Sequence, residues 1–470
     1  MFKERVKTSI IIMLLLNCIF LTYHMWFKSG MLGADLSFVS LSDLPFVRFF
    51  SSDDNPSVPK ENLSKPRKFV IYDGSLWIPY YNTDEAFDNL NEETVGILRS
   101  LLSGNAKTQT KISYEKWLDY LTKPSVYVEY PIEVSPRFLA AVINADFEKM
   151  PSDMALVRDA IIIPEGENGV RVALRDVSDN SAYEFFIEDE RLAFPEAVLS
   201  MYADKYRRDG YYEFAFSTLI GEGLGGGNVK VGDLVLFSDN DSVYQNVFAY
   251  NPLEGKSHEN LLKSFSFNPR PLRHYPDDYG AENYIENYAT VRIFPEGYIE
   301  YSAVQDDKGL SLDCDGTNGY EILNAAIDFA EKVWSSVSDE ALNVLVSGIE
   351  ETADGNRFTF DYYYGGREVA LGIEKNGMEP LYHAIEIETQ NNRIVSYRQC
   401  LRAYNAADSS TNQESFISAL DYYVELFSQG EDTVITDMYP GYYDSGLSSA
   451  VLETTWLGKV DYSDARYPKS

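Results

Sequence analysis

Residues Thr8 to Phe27 form a run of twenty positions without a charge, TSIIIMLLLNCIFLTYHMWF. As a helix rising about 1.5 Å per residue, such a run extends about 30 Å, the thickness of a bilayer's hydrocarbon core. Residues 28–66 break this pattern and end in SSDDNPSVPKENLSKPRK, whose Ser, Pro and charge are linker chemistry. From 67 onward, short periodic segments take over. FVIYDGSLWIPYY reads as two strands around Asp73-Gly74, and a helical stretch follows to about Leu102. VYVEYP (126–131) reads as a strand and SPRFLAAVIN (135–144) as a helix. ALVRDAIIIPEGENGVRVALRD then reads as two strands around a glycine-containing loop, with SAYEFFIED as a third.

A second module is expected over 211–305, with DLVLF, a short helix near SHENLLKSF, and the hairpin ATVRIFPEGYIEYSA turning at Pro295-Glu296-Gly297. The third, 318–470, has the clearest periodicity. Asn318 and Glu321 are spaced as a capping box before YEILNAAIDFAEKVWSSV, whose Leu323, Ile327, Ala330 and Trp334 share a face. In RFTFDYYYGGREVALGI, Phe358, Phe360, Tyr362 and Tyr364 alternate with Thr359, Asp361 and Tyr363, and Gly365-Gly366 supplies a two-residue turn. AIEIETQNNRIVSYRQ turns at Asn391-Asn392; Thr411 and Glu414 suggest a second capping box before ESFISALDYYVELFSQ; VITDMYPGYY and AVLETTWLGKV read as strands. The expected fold class is α+β: one N-terminal transmembrane helix (8–27), a stalk (28–66), and about three modules (67–210, 211–305, 318–470) of antiparallel sheet with packed helices.

The flanks of the apolar run set its topology. Lys3, Arg5 and Lys7 precede it, so residues 1–7 are expected to stay cytoplasmic and the chain beyond 27 to lie outside. Tyr23 and Trp26 sit near the outer end, where aromatic rings favour the interface. A cleaved signal peptide has a shorter apolar core and an A-x-A-like site; here the best site is Leu32-Gly33-Ala34, with a large residue where a small one is wanted. A lipoprotein would need a small residue before Cys18, which follows Asn17. Met13, Asn17, Phe20 and His24 are spaced by four, three and four, so they share a helix face. Polar side chains in lipid hold helices together when they find a partner. The competing reading is that Asn17 bonds its own backbone and His24 reaches the interface.

The chain has 470 residues, more than a single core usually serves. Its net charge is −33; the first 28 residues hold a surplus of three positive charges, so the rest carries −36. That field repels phosphate backbones, which excludes nucleic acid as a partner class. Three cysteines are too few for a disulfide framework, although Cys314 and Cys400 leave one bridge open.

Catalytic motifs are not found. Of the histidines, His24 falls in the apolar run, and His258, His274 and His383 form neither HExxH nor an HxH pair. Gly221, Gly223 and Gly226 spell GxGxxG, but strand-like residues follow where a dinucleotide site needs a helix, so a hairpin loop is expected. Asp313-Cys314-Asp315-Gly316 and Asp239-Asn240-Asp241 lack the register of a calcium loop. Ser445 is outside any G-x-S-x-G. No cofactor and no metal are expected.

In order along the chain, several stretches resemble the YycH family of extracytoplasmic regulators of an essential two-component kinase. They are MFKERVKTSIIIMLLLNCIFLTYHMW, SVYVEYPIEVSPRFL, LLKSFSFNPRPLRHYPDDYG, ATVRIFPEGYIEYSA, FTFDYYYGGREVAL, AIEIETQNNRIVSYRQ and TTWLGKV. The resemblance implies a non-enzymatic, membrane-anchored protein that contacts a sensor histidine kinase and a sister single-anchor regulator, partly through transmembrane helices. Here that points to the Met13, Asn17, Phe20 and His24 face. The rival expectations are an anchored hydrolase working through carboxylates and a ligand-binding ectodomain.

Overall fold

The computed structural model describes residues 65–470 except 82–83, 85, 146, 148–149, 152–153, 167–168, 190–198, 203–213, 221–224, 227, 239–242, 270–272, 287, 306–307, 315–318, 352–354, 373–380, 429–431, 447, 461–466 and 469–470. The apolar run 8–27 and the residues singled out in and beside it lie outside the described residues. Among the latter, no helix is long and apolar enough to cross a membrane.

The first sheet has seven strands, in the order Trp77–Tyr81, Lys68–Tyr72, Ser125–Val134, Val157–Pro164, Val170–Asp176, Ser181–Ile187, Thr108–Ile112. All its pairings are antiparallel. Runs such as FVIY and AIIIP are apolar at successive positions because both faces of this sheet are covered. Phe69 and Ile71 face the core with Phe87, Leu90 and Leu139, from the helices Phe87–Ser100 and Pro136–Val142. Val70 and Tyr127 face the opposite way, toward Trp117 and Phe216. Ser135 caps the helix Pro136–Val142 by accepting from the Phe138 amide at 3.2 Å.

The second sheet has fifteen strands and joins residues from 225 to 468. Its central order is Ala289–Ile293, Tyr298–Ala303, Arg393–Cys400, Ile385–Gln390, Gly355–Tyr364, Arg367–Leu371, Thr433–Asp444. The turns form where expected. Gly365 and Gly366 (φ +53° and +77°) join Tyr364 to Arg367, and Asn391 and Asn392 (φ +47° and +59°) join Gln390 to Arg393. Positive φ at both central residues matches the right-handed strand twist. The helix Gly319–Ser335 lies on this sheet, with Leu323, Ile327, Ala330 and Trp334 all in the core. A third sheet orders Ala403–Asn412, Val243–Tyr250 and Ala450–Leu452.

Three expectations need correction. The sheets are mostly antiparallel, but Thr433–Asp444 runs parallel to both Arg367–Leu371 and Val229–Val231. The connection that the first of these pairings requires includes the strands Ile385–Gln390, Arg393–Cys400 and Ala403–Asn412 and then the helix Phe416–Phe427. The second cap is Ser415, which accepts from the Ser418 amide at 3.3 Å; Thr411 is held in a strand opposite Tyr244. Thr359 and Asp361 are buried as well as their apolar neighbours, against Ser347 and His383. The bridge left open between Cys314 and Cys400 is not formed.

Gly355 opens the strand opposite Gln390, and a Cβ there would overlap the carbonyl oxygen of Thr389. Gly355→Ala should therefore lower stability by about 1–3 kcal/mol, read as a shift of the urea midpoint at constant slope.

Candidate functional site

Charged residues inside apolar strands are the feature from which a site can be built. Lys68, Glu129 and Asp159 occupy paired positions on three neighbouring strands, Lys68 opposite Glu129 and Glu129 opposite Asp159. Each is almost completely buried. Glu129 receives Lys68 Nζ at 2.9 Å, Arg158 Nη2 at 3.2 Å and Arg67 Nη1 at 3.4 Å. Asp159 is held by the Arg175 guanidinium and accepts from the Tyr127 hydroxyl at 2.7 Å. Arg67 also reaches the second sheet, with Nη1 2.5 Å from Asp437 Oδ2 and its guanidinium over the Tyr439 ring at 4.2 Å. Four cations and three carboxylates thus form an ion-paired island, one positive charge in surplus, where the two sheets meet.

The electrostatics follow from this packing. Burial pushes the Glu129 carboxyl up, but Lys68, Arg158 and Arg67 outweigh it and hold the group well below the usual carboxylate range. Asp437 behaves likewise, its burial outweighed by Arg67 and Lys68. Carboxylates locked in the ionised state serve as anchors and cannot donate protons near neutral pH. Two cavities flank the island. One of about 450 Å³ is lined by Tyr114, Tyr127, Arg158, Arg175, Lys230 and Asp437. The other, about 90 Å³, is walled by Tyr81, Tyr244, Tyr363 and Tyr439 between Arg67 and Arg367.

Elsewhere, Ser347 Oγ lies 3.1 Å and Asp361 Oδ1 2.8 Å from His383. Both contacts fall on the same ring nitrogen, Nδ1. A nucleophile–base–acid relay needs the hydroxyl and the carboxylate on opposite nitrogens, so this group is a buried polar cluster without triad geometry. His258 meets the Tyr284 hydroxyl at 2.9 Å, and His274 stacks on the same ring with its Nε2 against Glu282. Gly225–Gly226 pairs with Val229–Val231, consistent with the hairpin loop expected there. Of the two acidic clusters, only Asp313 and Cys314 lie among the described residues, where no group of His, Cys, Asp and Glu is arranged to hold a metal ion.

Met13, Asn17, Phe20 and His24, with Lys3, Arg5 and Lys7, are outside the described residues. The residues that do converge were not singled out from sequence. Their signal was present: Glu129 in VYVEYP, Asp159 in VRDAIIIP and Asp437 in VITDMYP are carboxylates in largely apolar stretches.

Such an architecture defines an α+β protein, mostly antiparallel, organised around a buried ionic seam. No family model and no curated protein matches the chain. Among solved structures, the crystal structure of YycH from Bacillus subtilis superposes with a TM-score of 0.58 at 11% identity, covering 88% of this chain and 98% of that one. The chain has the YycH fold, and the resemblance carried by the sequence stretches is met at the level of fold.

The seam yields a pH prediction. Glu129 and Asp437 have folded-state pKa values below their unfolded ones, so their stabilisation is complete above the unfolded values and is lost as pH falls through the folded ones. Acidification below about pH 4 should lower the urea midpoint. Glu129→Gln should cost about 3–5 kcal/mol at pH 7 by leaving buried cations unpaired, and should flatten the acid limb. A variant as stable as the parent at pH 7 would show that the island does not hold the sheets together.

Proposed function

We propose that this chain is a non-enzymatic regulator of a two-component sensor histidine kinase governing the cell wall, anchored by helix 8–27 with its folded part outside the cell. The observation that carries this reading is the correspondence of fold with YycH over nearly the whole of both chains. The ordered sequence resemblance, including the basic start and the single apolar run, supports it independently. In this reading Lys3, Arg5 and Lys7 hold the N-terminus in the cytoplasm. The Met13, Asn17, Phe20 and His24 face packs against a helix of the kinase or of a sister single-anchor regulator. The outer sheets act as a docking platform. A coupling of about 1–3 kcal/mol changes an affinity by roughly 5- to 150-fold, so modest helix contacts suffice.

The state of the buried carboxylates supports this reading over a carboxylate hydrolase. Such an enzyme needs one carboxyl held protonated beside one ionised, whereas Glu129 and Asp437, two of the five carboxylates lining the larger cavity, are both held ionised. The cavities themselves favour ligand binding as an additional property.

Affinity capture of full-length protein from its native membranes after crosslinking tests the proposal. A sensor kinase should be recovered with the parent chain and be depleted at least about tenfold with an Asn17→Leu, His24→Leu double variant. Recovery of no kinase with either form would remove the regulator reading. Equal recovery with both would move the contact from the membrane to the outer sheets.

A further inference from the structure

The smaller cavity holds an arginine whose position calls for an explanation. Arg367 follows the Gly365-Gly366 turn, and its guanidinium lies over the Tyr244 ring at 4.0 Å. It is half-buried, yet it pairs with no carboxylate among the described residues. The chain has 73 acidic residues against 40 basic ones, so carboxylates are in surplus everywhere. The neighbouring groups show how the rest are used. Arg67, on the facing wall, is shared between Glu129 and Asp437. Glu368 accepts the Tyr439 hydroxyl at 2.8 Å. Arg367 alone in this pocket is held by stacking instead of by charge. Stacking fixes the plane of a guanidinium while leaving its edge N–H donors available, the arrangement suited to a bidentate carboxylate.

The dimensions narrow the ligand. The cavity is small, about 90 Å³, which favours a carboxylate on a short stem over a bulkier acid. Tyrosine walls suit a methyl-sized group beside the charge. The net charge of −33 opposes every anion at long range, so recognition here has to come from contact and not from steering.

We propose that the pocket between Arg367, Tyr244, Tyr363 and Tyr439 is a binding site for a carboxylate on a small stem. The terminal carboxylate of a peptide ending in a small residue and a free short-chain acid share this chemistry. The inference does not rest on the regulator reading, because it uses only the pocket's residues.

The test is ligand-observed NMR on the full-length protein in detergent micelles, with N-acetylalanine, its neutral isostere N-acetylalaninamide, and acetate. N-acetylalanine should bind and the amide should not. Arg367→Gln should weaken binding by at least about tenfold, the loss expected for a charge-assisted hydrogen-bond pair. Its thermal unfolding should match the parent's, since the residue forms no ion pair in the fold. Tyr244→Leu, which removes the stacking but keeps the charge, should weaken binding as well and serves if the first variant fails to fold. N-acetylalanine binding more tightly than acetate assigns the site to a peptide terminus, and equal binding assigns it to a free acid. The proposal is overturned if the amide binds as well as the acid, if Arg367→Gln retains full affinity, or if neither acid binds.

Discussion

Glu129 is the point on which the arrangement of the two sheets depends. It lies on a central strand of the first sheet, and three cations reach it; one of them, Arg67, also grips Asp437 on the second. An apolar seam runs beside this contact. Ile132, Phe138 and Ile349 pack against the cores of both sheets, and Phe138 meets Tyr320 edge-on at 6.2 Å. The two contributions differ in kind. Apolar burial is favourable at many relative positions of the sheets, because it depends on area and not on direction. Buried charges are stabilising only where each finds its partner, and a shifted register would strand several of them. The seam therefore supplies the cohesion, and the island around Glu129 selects one placement.

How much of this was legible beforehand follows from the range over which each feature is determined. The Gly365-Gly366 and Asn391-Asn392 turns are set by two residues and their positive φ, and both formed as read. The face of the helix Gly319–Ser335 was visible because its period lies within a single segment. Thr411 misled because two local signals competed. A Ser four residues on caps the helix equally well, and pairing with Val243–Tyr250 had already claimed Thr411 for a strand. The parallel pairing of Arg367–Leu371 with Thr433–Asp444 joins segments some seventy residues apart, and nothing in either one announces its partner. The ionic island is the extreme case. Its carboxylates were visible as charges in apolar strands, but their cations come from residues 67, 68, 158 and 175, which only the folded register assembles.

The magnitudes also limit how a signal can cross this molecule. In the proposed reading a pull or rotation would reach the first sheet through residues 65–68, where Lys65 meets Asp88 at 2.9 Å and Arg67 joins the island. Breaking a buried pair costs about 3–5 kcal/mol. The coupling that allosteric regulation typically uses is about 1–3 kcal/mol. A coupling of that size cannot open the island to any useful population, since the cost exceeds the drive. Under the proposed reading, the two sheets should therefore respond to an anchor as one body. A change in orientation then passes outward to whatever the sheets hold, or inward to whatever the helix packs against, without a conformational switch between the sheets. In the proposed regulator, the adjustable contacts would then lie at the surfaces of the sheets and in the helix read over 8–27, with the buried charges keeping the distance between surface contacts constant.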